Sequence, residues 1–184
     1  MKTIALNLLD VAANSFEAGA SDVAVSMEVL EAENKLELEI RDNGRGMEPE
    51  TLEKVTDPFY TTRSTRKVGL GLALIRQMAE ATGGSLTISS VRGSGTTLRV
   101  SFGLRHPDCQ PLGDLPGVVI MLAGRDRAVR FRFRAKTGKG VYNFDTAEVL
   151  EVLEINAIEG AELLSQLREL VANGLREISF EGLN

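Results

Sequence analysis

A single cysteine, Cys109, in 184 residues rules out a disulfide framework and a thiolate metal cluster. It suits a reducing cytoplasm. The only histidine is His106. Tryptophan is absent and aromatics make up 5% of the chain, too few for base-stacking platforms. With a net charge of −5, no nucleic-acid partner is expected. No apolar run approaches the ~20 residues that a membrane span needs, so no membrane partner is expected either. The apolar start, residues 1–13, is interrupted by Asn7 and Asp10 and carries Lys2 as its one cation. That pattern is an amphipathic helix, not a signal peptide. Neither a G-x-x-x-x-G-K-[ST] phosphate loop nor a strand followed by G-x-G-x-x-G occurs. A nucleotide, if bound, must be held by another architecture.

What is present is ordinary for a globular chain: 43% apolar and 26% charged residues, enough to bury a core without disulfides. Helical spacing runs over 3–18 and again over 70–81, where Leu70, Leu74, Ile75 and Met78 share a face and Gly83-Gly84 follows. Strict alternation marks four strands: Val23 to Val29, Leu36 to Ile40, Leu86 with Ile88, and Leu98 to Phe102. A short helix is expected at 49–55, opened by Pro49. All four strands are apolar on one face only, which calls for one layer of helices over one side. The fold class expected is α/β, a two-layer α/β sandwich. Pro107 to Pro116 reads as a boundary, giving a domain at 1–106 and a small C-terminal α/β segment at 107–184. In that segment strands are expected at Val118–Leu122, Val129–Phe133 and Val141–Phe144, and helices at 146–153 and 159–176.

Four short motifs occur in one order. Asp42-Asn43-Gly44-Arg45-Gly46-Met47 follows the second strand. A carboxylate at a strand end can accept a hydrogen bond from the exocyclic amine of adenine, and Gly44 and Gly46 let the backbone approach a base. Taken alone the motif reads as a plain Asp-Asn-Gly turn. Gly69 and Gly71 open the helix at 70–82, whose free N–H groups suit an anion. The basic residues Arg63, Arg66 and Lys67 upstream favour phosphate, and 57–68 reads as a lid. In the first helix Asp10 and Asn14 lie one turn apart on one face. An Asn carbonyl is a hard ligand suited to Mg²⁺ beside phosphate oxygens and waters, and a carboxylate one turn away can deprotonate a water or hydroxyl. Either residue could equally solvate the helix surface.

Together these residues resemble the GHKL superfamily of ATPases and kinases: gyrase, heat-shock chaperones, histidine kinases and mismatch-repair proteins. The resemblance covers about residues 3–103. Leu9 to Ala20 looks like the N box, Asp42 to Met47 the G1 box, Asp57 to Arg63 the F box and Val68 to Leu72 the G2 box; Gly93 to Thr97 looks like the Gly-x-Gly-Thr stretch. The resemblance implies that Asn14 binds Mg²⁺ and Asp42 binds adenine. Gly44, Gly46, Met47 and Thr96 support the base. Gly69 and Gly71 support the phosphates, the lid cations Arg63, Arg66 and Lys67 stabilise their charge, Thr62, Leu70 and Leu72 belong to the nucleotide-binding set, and Asp10 is the catalytic base. Three departures stand out. Asp10 is one methylene shorter than the glutamate of ATP-hydrolysing members. Lys67 replaces the first glycine of the usual G2 pattern. The chain starts almost at the N box, so a segment past residue 110 is expected to supply missing cover. The whole chain is also similar to small stand-alone ATP-binding proteins of anaerobic bacteria, whose genes are often found beside iron-only hydrogenase genes.

No long helix bearing a phosphoacceptor histidine precedes the ATP motifs, and His106 is expected to be an incidental surface residue. The resemblance therefore implies a cytoplasmic Mg-ATP-binding protein that transfers the γ-phosphate to a separate partner protein. The alternatives are an ATP/ADP-sensing module without turnover, or a slow ATPase that drives lid closure. Arg130, Arg132 and Arg134 share one strand face, expected to be a solvated face balanced by Glu148, Glu151 and Glu154. The leucine face of 159–176 is expected to be core.

Overall fold

The computed structural model describes residues 3–55 and 70–180. In chain order the elements are α1 (Ile4–Glu17), β1 (Asp22–Leu30), β2 (Lys35–Asp42), α2 (Pro49–Lys54), α3 (Leu70–Ala81), β3 (Ser85–Val91) and β4 (Gly95–Gly103). They continue with α4 (Leu115–Ala123), β5 (Arg130–Thr137), β6 (Gly140–Asp145), α5 (Thr146–Val152) and α6 (Ala161–Glu177). The strands form one six-stranded sheet in the order β3-β4-β2-β1-β5-β6. All pairs are antiparallel except β1 with β5, which run parallel.

Alternation decides which face is buried. On the inner face, residues line up across strands in rows. One row is Ile88, Leu98, Ile40, Val25, Phe133 and Phe144; the next is Leu86, Val100, Leu38, Met27, Ala135 and Tyr142. α1, α3, α4 and α6 add Leu8, Val11, Ile75, Val119, Leu122, Leu167, Val171 and Leu175 to the same core. Helices on one face of a half-polar sheet make the two-layer α/β sandwich expected from the sequence. Among the described residues no helix is long and apolar enough to cross a membrane.

The C-terminal segment joins this sheet and this core. β5 pairs with β1, and α4 fits against α1 and α6. The linking backbone also completes α1. A helix start leaves four N–H groups without intrahelical partners. Here Ile4 donates to Pro111 O at 3.1 Å, Ala5 to Leu112 O at 2.9 Å and Asn7 to Thr3 O at 3.1 Å. Leu6 donates to the Thr3 hydroxyl at 3.3 Å. The segment past residue 110 thus supplies the cover that the N-terminal helix needed.

Val118–Leu122 is helix, not the expected strand. Leu115, Pro116, Val118, Val119, Ile120, Leu122 and Ala123 are all buried, so the run shows no helical periodicity. The signals that decide it lie at its ends. Asp114 caps the helix through the Gly117 N–H at 3.0 Å, Pro116 sits in the first turn, and Gly124 ends it. The leucine face of α6 is core at Leu167, Val171 and Leu175, but Leu170 is 54% exposed.

On the outer face two of the three β5 arginines and Lys136 are paired, though not with the glutamates expected. Arg130 bonds Asp145, Arg132 bonds Asp22, and Lys136 bonds Glu28 at 2.6 Å. Asp145 also caps α5 through the Ala147 N–H at 2.9 Å. Burial pushes the Asp145 carboxyl up, but the Arg130 hydrogen bond, the Ala147 N–H and the charges of Arg130 and Arg132 outweigh it. Its net position is below the ordinary 3.8. A carboxyl with a lowered folded value contributes stability that is fully present above 3.8 and lost as pH falls through the folded value. Urea unfolding measured from about pH 5 downward should therefore show a shallower acid loss in Asp145→Asn than in wild type.

Candidate functional site

The inner face changes character at one end. The row beyond Ile88, Leu98 and Ile40 is Ser90 on β3, Thr96 on β4 and Asp42 on β2. Asp42 is 9% exposed, and a buried carboxylate is costly unless its oxygens are matched. They are. Oδ2 accepts from the Ser15 hydroxyl at 2.7 Å, and Oδ1 accepts from the Gly44 N–H at 2.9 Å and from the Thr96 N–H at 3.3 Å. A carboxylate has about four lone-pair positions. Among the described residues three are filled, which leaves one for a further donor.

The turn after β2 is pinned on both sides. Asn43 Oδ1 accepts from the Ser21 and Asp22 N–H groups, each at 2.9 Å, and its amide donates to the Ser21 hydroxyl. Arg45 N–H donates to Ala18 O at 3.0 Å, and Arg45 O accepts from Gly93 N–H at 2.7 Å. Met47 N–H donates to Ser90 Oγ at 2.9 Å. The turn is therefore fixed before any ligand arrives. Gly46 has φ +63, and a Cβ there would lie 2.0 Å from Val91 O. Gly44 needs space instead of a special angle: its Cβ would lie 2.8 Å from the Ala18 Cβ.

α1 carries the second part. Its buried face ends at Ser15, which holds Asp42, while Asp10 and Asn14 stand one turn apart on its exposed face. α3 begins beside them: a Cβ at Gly71 would come 3.6 Å from the Asp10 Cβ. Leu70 opens α3, and Leu72 packs against the core. The structure thus gathers Asp42, Gly44, Gly46, Met47 and Thr96 at the sheet end, and sets Asp10, Asn14 and Gly71 side by side. Thr62, Arg63, Arg66, Lys67 and Gly69 lie outside the described residues, as do Val68 and the stretch from Asp57 to Arg63.

Sequence reading missed Ser15 and Ser90. Ser15 follows Asn14 directly, and its burial at 4% in a helix is the signal that it serves another polar group. Ser90 falls in β3, two residues past the Leu86 and Ile88 alternation that marks the strand. Asn7 is also buried. Its amide donates to Thr3 O at 2.8 Å, while its Oδ1 has no partner among the described residues. His106 is a surface residue whose Nδ1 accepts from the Asp108 N–H at 3.2 Å. Burial pushes the Cys109 thiol up, which disfavours a nucleophilic thiolate.

Among the described residues no three His, Cys, Asp or Glu side chains converge on a metal position. The donor set at α1 is one carboxylate and one amide oxygen, both hard. That set fits Mg²⁺, which keeps several waters and binds through few protein ligands plus phosphate oxygens. The open acceptor position on Asp42 fits an exocyclic amine.

The family described as "Histidine kinase-, DNA gyrase B-, and HSP90-like ATPase" matches residues 1–106. Sensor protein SrrB of Staphylococcus aureus is 35% identical over 107 residues, covering 55% of this chain and 18% of that protein. Sensor histidine kinase WalK of Bacillus subtilis is 38% identical over 81 residues, covering 41% of this chain and 13% of that protein. The chain therefore spans less than a fifth of either relative. The solved N-terminal domain of a DNA repair protein superposes with a TM-score of 0.56 at 18% identity, covering 79% of this chain and 52% of that one, a likeness of fold alone.

Gly46→Ala tests the turn. The methyl group meets a backbone carbonyl in a left-handed conformation, so a loss of more than about 2 kcal/mol is expected in equilibrium unfolding. A loss below about 0.5 kcal/mol would mean that the turn can relax away from Val91.

Proposed function

The chain belongs to the histidine kinase-, DNA gyrase B- and HSP90-like ATPase family, and on that premise we propose that it transfers the γ-phosphate of Mg-ATP to a separate partner protein. The observation that carries this reading is the pairing of two surfaces on one short helix. Ser15 fixes the buried carboxylate of Asp42, and Asp10 with Asn14 faces outward beside the start of α3.

The roles follow from position and chemistry. Asp42 accepts the adenine amine, with Gly44, Gly46, Met47 and Thr96 forming the walls. Asn14 contributes a hard oxygen to Mg²⁺. Gly71, with Leu70 and Leu72 at the start of α3, lies where backbone N–H groups suit a phosphate. Thr62, Arg63, Arg66, Lys67 and Gly69 join this group through the family resemblance, as cations and backbone donors for phosphate oxygens. Mg-ATP supplies the activated phosphoryl group. Asp10 accepts the proton of the attacking hydroxyl or water, which makes it the catalytic residue. The nucleotide unit is assigned to residues 1–106, with 107–184 supporting it through β5 and the cap on α1. The single cysteine suits a cytoplasmic setting.

One feature favours a second reading, that of an ATP/ADP-sensing module. Aspartate is a methylene shorter than the glutamate of hydrolysing relatives, and a base out of reach leaves binding without turnover.

Mg-ATP binding and turnover measured on wild type, Asp10→Asn and Asn14→Ala separate the two. Asp10→Asn should keep binding and lower turnover by about 10²–10⁴-fold, and Asn14→Ala should remove the Mg²⁺ dependence of binding. Tight wild-type binding with no turnover, in the presence of candidate partner proteins, would leave the sensor. No binding at all would end both.

A further inference from the structure

Ser90 makes three contacts with one proton. Its Oγ accepts from the Met47 N–H at 2.9 Å, lies 3.0 Å from Gly95 O, and lies 3.0 Å from Thr96 Oγ1. A hydroxyl has one hydrogen and two lone pairs. A carbonyl can only accept, so the Ser90 proton goes to Gly95 O. The Met47 N–H fills one lone pair. The Thr96 contact is then a hydrogen bond only if Thr96 donates into the other. One assignment satisfies all three contacts, and it spends the Thr96 proton on Ser90.

The consequence falls on the neighbouring row. Thr96 Oγ1 is left with lone pairs alone. Asp42 beside it has three acceptor positions filled by Ser15, Gly44 and Thr96 and, among the described residues, keeps one open. The end of the sheet therefore offers acceptors only. A ligand edge carrying an amine satisfies such a surface. An oxopurine sets its carbonyl against these acceptors and brings one ring N–H where the amine brings two hydrogens, so one acceptor stays unpaired, which costs more than the lost bond itself.

We propose that Ser90 is a specificity-determining positioning residue: by taking the Thr96 proton it holds the base-binding row in an acceptor-only state, selecting an aminopurine nucleotide over an oxopurine one. The inference rests on the nucleotide-binding reading above and adds a residue that touches no ligand itself. Removing the Ser90 oxygen frees the Thr96 hydroxyl to turn and donate, and the row then tolerates a carbonyl.

The test is calorimetric titration of the full chain with Mg-ATP and Mg-ITP, which differ at C6, an amine against a carbonyl, and at N1, a lone pair against an N–H. Wild type should bind ATP the more tightly. In Ser90→Ala the ratio of the ITP to the ATP dissociation constant should fall by at least about tenfold. Ser90→Thr, which restores the hydroxyl, should return the wild-type ratio. In a Thr96→Val background Ser90→Ala should leave the ratio unchanged, because no hydroxyl remains to turn. Should Ser90→Ala fail to fold, Ser90→Cys carries the same expectation, since a thiol is a weak acceptor for the Thr96 proton. Equal weakening of both nucleotides in Ser90→Ala, with the ratio kept, would overturn the proposal and reduce Ser90 to a brace for the turn. Wild type binding ATP and ITP equally would overturn it while ATP binding stood. Wild type binding neither would remove the reading beneath it as well.

Discussion

A carboxylate placed on the inner face of a sheet has to be satisfied from nearby, and Asp42 imposes that condition on everything around it. Ser15 comes from α1, Gly44 from the turn after β2, and Thr96 from β4. An unmatched buried charge costs several kcal/mol, so these three elements cannot drift apart without losing stability together. The same condition shapes the turn. Gly44 has to pass close to Ala18 to reach the carboxylate, and Gly46 has to adopt a left-handed angle to return under Val91. What looks like a flexible Asp-Asn-Gly-Arg-Gly run is thus held from both sides before any ligand is present. A site assembled in advance loses little ordering entropy on binding.

α1 is the element on which the two halves of the chain meet. Its C-terminal part holds Asp42 and displays Asn14, while its N-terminal N–H groups are capped by Pro111 and Leu112. The family match ends at residue 106, yet the cap on the helix that carries Asp10 and Asn14 lies beyond that point. β5 extends the sheet from β1, the strand next to β2 and hence to Asp42. The segment from 107 onward therefore acts on the site through backbone hydrogen bonds and core contacts. The fold likeness to the DNA repair protein domain, at 79% of the chain, also reaches past the 106 matched residues.

The parts of the fold that were legible in the sequence are those with a period. β1 and β2 alternate without a break, and α3 repeats its apolar face, so their type was plain. α4 was not legible because seven of its nine residues are buried and its exposed position, Met121, is apolar too, so the run shows no period. Only Asp114, Pro116 and Gly124 at its ends carry its identity, and capping residues are weak signals beside seven buried side chains. The candidate site divides in the same way. Asp42, Gly44, Gly46 and Thr96 stood out through their spacing. Ser15 and Ser90 did not, because a serine's role depends on which acceptor faces it across the sheet or from a neighbouring helix. That is a fact of register, and register is invisible until strands are paired.

The outer face of the sheet works by a different balance. Arg130, Arg132 and Lys136 alternate along β5, and each meets an acid across a strand boundary: Asp145 on β6, Asp22 and Glu28 on β1. Half-exposed ion pairs of this kind contribute about 0–1 kcal/mol apiece, too little to hold the sheet together. Their effect is on alignment. β5 is the one strand added in parallel, and parallel pairing gains no help from a tight hairpin turn. A slip of one residue would point Phe131 and Phe133 outward and bring Arg132 and Arg134 into the core. Two errors would then arise at once, a lost apolar row inside and unpaired acids outside. The inner row sets the penalty, and the outer charges make the correct register better than its neighbours on both faces. Because β1 is held in this way between β5 and β2, the strand that ends in Asp42 has a fixed neighbour on the side away from β4.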